Sequence, residues 1–176
     1  MSEKYVPTFT LNDGVEVPAV GLGTWQMQGD EVITAVRSAI DTGYRHIDTA
    51  AFYQNEADIG RAIHDAISAG DVTREELFIT SKVWNDQQSD HEVQAAFRAS
   101  LTNLGLDYLD CYMVHWPCPS TGRHVERFAA LSTLQGLGDV RSIAVANYNG
   151  DQLREVQEKT GIVPTINQVE LHPGFS

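Results

Sequence analysis

Two periods of apolar and polar residues alternate along this chain. Thr8 to Val20 reads as a β-hairpin that turns at Asp13-Gly14. From Asp30 to Thr42, Val32, Ala35, Val36, Ala39 and Ile40 recur at helical spacing, and Gly43 stands where a helix end favours positive φ. Ile59, Ala62, Ile63, Ala66 and Ile67 form a second helical stripe. A third helix is announced by the capping pair Ser89 and Glu92 and buries Val93, Ala96, Phe97, Leu101 and Leu104. Two more helices are predicted at about Val125 to Gln135 and Asp151 to Lys159. Between them lie short apolar runs predicted as strands: Ala19 to Gly21, Arg45 to Asp48, Leu77 to Lys82, Leu109 to His115, Val140 to Ala146 and Thr165 to Glu170.

Strand followed by helix, repeated, predicts an α/β fold with a parallel sheet and helices outside it. Strand ends at Asp48, Lys82, His115 and Ala146 are separated by 34, 33 and 31 residues. A near-constant period means one unit repeated, which fits a TIM-type (β/α)8 barrel better than a doubly wound sheet. Gly21-Leu22-Gly23 begins like a dinucleotide fingerprint, but Gln26 occupies the place of its third glycine. A full barrel takes roughly 250 residues. The expectation is therefore one domain over residues 1–176, with an N-terminal hairpin and six of eight units, incomplete at its C-terminus. Its first and last strands would be open edges, through which chains could self-associate.

Composition narrows the partners. The chain is 42% hydrophobic and carries a formal charge of −12. Disorder would need less apolar content. The negative charge repels phosphate backbones, so neither nucleic acid nor an anionic membrane surface is expected as a partner. No apolar run is long enough to span a bilayer, and Met1 to Thr10 lacks the pattern of a signal peptide. Cys111 and Cys118 are expected as reduced thiols, which fits the cytoplasm.

Asp48, Lys82 and His115 end three successive strands, the level at which barrel enzymes place their chemistry. Tyr53, five residues beyond Asp48, would project over the same mouth. A carbonyl that accepts a hydride must also gain a proton. A phenol has a pKa near 10, and a neighbouring ammonium stabilises its phenolate and lowers that value. Asp48 would hold Lys82 in place, and His115 could bond the substrate oxygen.

The stretch from Gly43 to Ile63 (GYRHIDTAAFYQNEADIGRAI) is similar to a signature of the aldo-keto reductases. Ile79 to Trp84, Leu104 to Pro117 and Asn167 to Pro173 resemble further blocks of that family in order, closest to bacterial 2,5-diketo-gluconate reductase-type members. The resemblance implies Tyr53 as general acid, tuned by Lys82 and Asp48, with His115 orienting the substrate. It implies Thr24, Asp48, Asn147 and Gln168 at the cofactor, Trp25, Trp84 and Trp116 around the substrate, and no metal. The activity it implies is NADPH-dependent reduction of a small aldehyde or ketone. One departure is Ala146-Asn147-Tyr148 where the family has Ser-Asn-Phe. The missing hydroxyl costs about 1 kcal/mol of cofactor binding. The 2′-phosphate site and the substrate-selecting loop, which the family carries on its last units, are absent.

A zinc site from Cys111, His115 and Cys118 fails on distance: four strand steps place the first two roughly 13 Å apart. A carboxylate-pair hydrolase using Glu56, Asp48 or Glu170 lacks a matched partner. The rival reading is a truncated, non-catalytic relative acting as a binding or interaction module.

Overall fold

The computed structural model describes residues 7–175. The start of the predicted leader-free stretch, Met1 to Val6, lies outside them. Strands β1 (Thr8–Thr10) and β2 (Glu16–Pro18) form the antiparallel hairpin. Its turn is wider than the two-residue one expected. Leu11 N–H donates to Val15 O and Gly14 N–H to Leu11 O, which leaves a three-residue loop closed by Gly14 at φ 84°.

Six parallel strands follow in sequence order: β3 (Leu22–Gly23), β4 (His46–Asp48), β5 (Phe78–Val83), β6 (Leu109–Val114), β7 (Val140–Ala146) and β8 (Asn167–Gln168). Helices α1 (Gly29–Thr42), α2 (Glu56–Ser68), α3 (Asp90–Leu104), α4 (His124–Leu137) and α5 (Gly150–Thr160) alternate with them. The first strand lies later than Ala19 to Gly21. Ala19 N–H is bonded to Pro7 O, so the hairpin holds the chain up to that point. Gly21 then passes so close to His46 that a Cβ would lie 2.7 Å from its Nδ1.

Strand pleating divides the core. Ile79, Tyr112, Val114, Ile143 and Val145 face the helices and join Val36, Ile63, Phe97 and Phe128 in the larger cluster. The opposite face carries Phe78, Cys111, Met113 and Ala144, which pack with Val17 of the hairpin. The hairpin therefore closes the N-terminal end of the inner face, and Asp13 accepts a 2.7 Å hydrogen bond from Ser142 Oγ. Capping is local: Ser89 and Glu92 form the expected reciprocal box on α3, and Asn149 with Gln152 forms another on α5.

Edges β3 and β8 have neighbours on one side only. Strand β8 has two residues rather than the six expected from Thr165 to Glu170, and Val169 and Leu171 beyond it are 54% and 76% exposed. Helix α5 buries only Val156. Both cysteines are free thiols. Among the described residues, no helix is long and apolar enough to cross a membrane.

Candidate active site

The register explains why distant residues meet. Asp48 pairs with Thr80, so Lys82 lies one pleat period further along the same face of β5. Lys82 in turn pairs with Met113, which sets His115 one period further on, just past the end of β6. All three point to the C-terminal end of the inner face.

Lys82 is fully buried. Its Nζ donates to Asp48 Oδ1 and, at 3.0 Å, to Thr49 O. Asp48 Oδ2 accepts from Gln168 Nε2 at 3.0 Å, which ties β4 to the far strand β8. Burying an ammonium is tolerable only with such partners. Thr24 Oγ1 donates 2.9 Å to Asp48 O, so Thr24 fixes the backbone of the aspartate. Asn147 takes a left-handed φ of 64°, which asparagine tolerates, and its Nδ2 donates 3.0 Å to His115 O. Tyr148 donates its hydroxyl to His124 O.

Tyr53 ends a 3₁₀ turn over Ala51–Tyr53. Gln28 Nε2 donates 2.7 Å to Tyr53 O. Asn55 Nδ2 donates to Thr24 O and Met27 O, tying the turn to the loop that carries Trp25. The Tyr53 ring stands edge-on to His115, centroids 5.6 Å apart, and Lys82 Nζ lies 5.3 Å from its centroid. The phenol is pushed up to about 12 by burial and by the Asp48 carboxylate. That direction is opposite to the lowering expected from a lysine neighbour, because Lys82 is already engaged by Asp48 and burial outweighs it. His115 is lowered to about 4 by burial and the Lys82 charge, so its imidazole is neutral above that pH. Its Nδ1 is buried without a partner.

These groups open onto a cleft of about 1080 Å³. Trp25, Trp84 and Trp116 all line it. Phe52 was not foreseen. It stacks on Trp84 with centroids 3.7 Å apart and lies 5.7 Å from Trp25, joining two of the tryptophans into one aromatic wall. Its only signal in the sequence was an aromatic next to Tyr53. Arg127, also unforeseen, is buried in α4 behind the rim. Glu56 is no half of a carboxylate pair: it accepts from Ser81 Oγ and Asn103 Nδ2 among the helices. Among the described residues, no three His, Cys, Asp or Glu side chains gather as a metal would require.

The donors and acceptors at the end of the cleft fit part of a nicotinamide cofactor. Asn147 and Gln168 present side-chain amides there, complementary to a carboxamide. No lysine or arginine is among the described cleft-lining residues, so these residues offer a phosphate no cation.

Residues 19–174 match the model described as the Aldo/keto reductase family. An aldo-keto reductase of Mycolicibacterium smegmatis is 47% identical over 167 residues, covering 95% of this chain and 59% of the relative. The methylglyoxal reductase DkgA of Escherichia coli is 46% identical over 164 residues, covering 93% of this chain and 57% of the relative. The crystal structure of a Bombyx mori aldo-keto reductase in complex with NADP superposes with a TM-score of 0.88 at 42% identity, covering 94% of this chain and 58% of that one. The chain thus spans about three-fifths of the length of these relatives.

Proposed function

The chain belongs to the aldo/keto reductase family, and from that premise we propose that it carries the catalytic half of an NADPH-dependent reductase of small aldehydes or ketones. The observation that carries this reading is the Asp48–Lys82 pair beneath Tyr53 and His115 at one end of the sheet. Reduction of a carbonyl adds a hydride at carbon and a proton at oxygen. The chemistry a bound reduced nicotinamide would supply is the hydride. Asn147 and Gln168 would hold its carboxamide, with Thr24 and Asp48 behind them. The complex of a relative with NADP supports that cofactor.

Tyr53 Oη delivers the proton. A phenol held near 12 is fully protonated at neutral pH, the form a donor needs. The Lys82 ammonium, 5.3 Å from the ring centroid, would stabilise the phenolate that forms, and Asp48 keeps it fixed. Neutral His115 donates to the carbonyl oxygen and sets its angle to Tyr53. Trp25, Phe52, Trp84 and Trp116 form an apolar wall against which a flat or apolar substrate would pack. Small reactive aldehydes such as methylglyoxal suit this wall, and a relative is named for reducing that compound. The free thiols Cys111 and Cys118 fit the cytoplasm. The test is product analysis: one alcohol formed per NADPH oxidised supports the reading, and cofactor oxidation without alcohol opposes it.

The exposed Val169 and Leu171 beside edge β8 favour a second reading, an interaction module that associates through its open edges without turnover. Association that grows with concentration, with no alcohol formed, would select it.

A further inference from the structure

Among the described residues, Arg127 is the largest fully buried side chain, and no carboxylate pairs with it. A guanidinium is expensive to take out of water, so its hydrogen-bond partners indicate what holds it there. Nη1 donates 3.0 Å to Trp116 O, and Nη2 donates 2.8 Å to Trp84 O. Those carbonyls lie just beyond β5 and β6, in the two loops whose tryptophans line the cleft. One planar fork therefore spans both loops from the side away from the cleft. A single lysine point charge could not hold both carbonyls in the same way.

The fork bonds the backbone of two residues whose rings line the cleft. Trp84 is packed between Phe52, at 3.7 Å, and His115, at 5.0 Å and edge-on. Trp116 is 45% exposed and has no ring partner among the described residues, so its backbone anchorage governs its position.

We propose that Arg127 is a positioning residue that sets the separation of Trp84 and Trp116 and so the fit of the carbonyl substrate. The proposal rests on the reductase reading for what enters the cleft, but not for the clamp itself. The guanidinium charge also joins Lys82 in disfavouring a protonated His115, against the opposite pull of Asp48.

The test compares Arg127→Lys and Arg127→Met with the parent chain. Arg127→Lys keeps the charge and loses the fork, so KM for a small aldehyde should rise about tenfold, the equivalent of one lost charged hydrogen bond, with kcat nearly unchanged. In nitrogen–proton spectra, the indole signals of Trp84 and Trp116 should move more than that of Trp25, which reports on the clamp even if the chain turns nothing over. The His115 titration should stay low in Arg127→Lys and rise only slightly in Arg127→Met, because burial and Lys82 are the larger causes and remain. If Arg127→Met does not fold, Arg127→Lys alone decides. Unchanged Trp84 and Trp116 signals overturn the clamp. Shifted signals with a fall in kcat at constant KM overturn its role in substrate fit. Absence of turnover in the parent chain overturns the reductase reading and leaves the clamp to the indole signals.

Discussion

Replacing Lys82 by methionine keeps the length of the side chain and removes the charge from a site with 1% side-chain exposure. Two hydrogen bonds vanish, to Asp48 Oδ1 and Thr49 O. The Asp48 carboxylate, 13% exposed, is left with Gln168 Nε2 as its remaining side-chain donor. Removing one partner of a buried pair costs about 3–5 kcal/mol, because an uncompensated charge stays behind. At roughly 2–4 °C per kcal/mol for a chain of this size, the melting temperature should fall by about 6–20 °C. The assay is a double-mutant cycle in urea with Asp48→Asn, Lys82→Met and the two combined. Asparagine cannot carry the stranded charge, so the combined variant should recover about 2 kcal/mol or more relative to the sum of the singles. A Lys82→Met cost under about 1 kcal/mol, or additivity within about 0.5 kcal/mol, would refute the view that the pair is a coupled buried unit.

Other consequences follow from the same geometry. A Cβ at position 60 would lie 2.5 Å from Leu104 O, so Gly60→Ala should push α2 off the end of α3 and cost about 1–3 kcal/mol in chemical unfolding; an unchanged midpoint would contradict the close approach. His115 is lowered to about 4 while the unfolded chain binds its proton near 6.5. The unfolded state therefore holds more protons between those values, and stability should fall as pH drops through that window, by up to about 3 kcal/mol, and level off below it. His46, lowered chiefly by burial, acts in the same sense, so His115→Gln should flatten the profile only in part; an unaltered profile would contradict the assignment.

The repeated unit was legible because burial and period coincide in it. Val140–Ala146 is a strand with the predicted bounds, since both neighbours and the helices beyond demand an apolar run there. Asp48, Lys82 and His115 were legible as a level because three near-equal steps place them at the same height. What escaped had no period to reveal it. Phe52 sits in a 3₁₀ turn, where neither helical nor strand spacing applies. Arg127 reads as a polar helix residue, and only the packing of α4 behind two loops turns it inward. Strand β8 shrank because pairing on one side supports fewer residues than the apolar pattern promised. The Tyr53 shift reversed sign because its balance of burial against a lysine already claimed by Asp48 is a property of three dimensions.

The reductase proposal meets its most direct test in the rate of NADPH consumption with methylglyoxal by this 176-residue chain beside its Tyr53→Phe variant, with NADPH affinity measured for both by fluorescence. Loss of general acid catalysis should lower the rate by about 10²–10⁴-fold while affinity stays the same. Equal rates in the two chains, or no turnover in either, would contradict a catalytic role for Tyr53 in this chain.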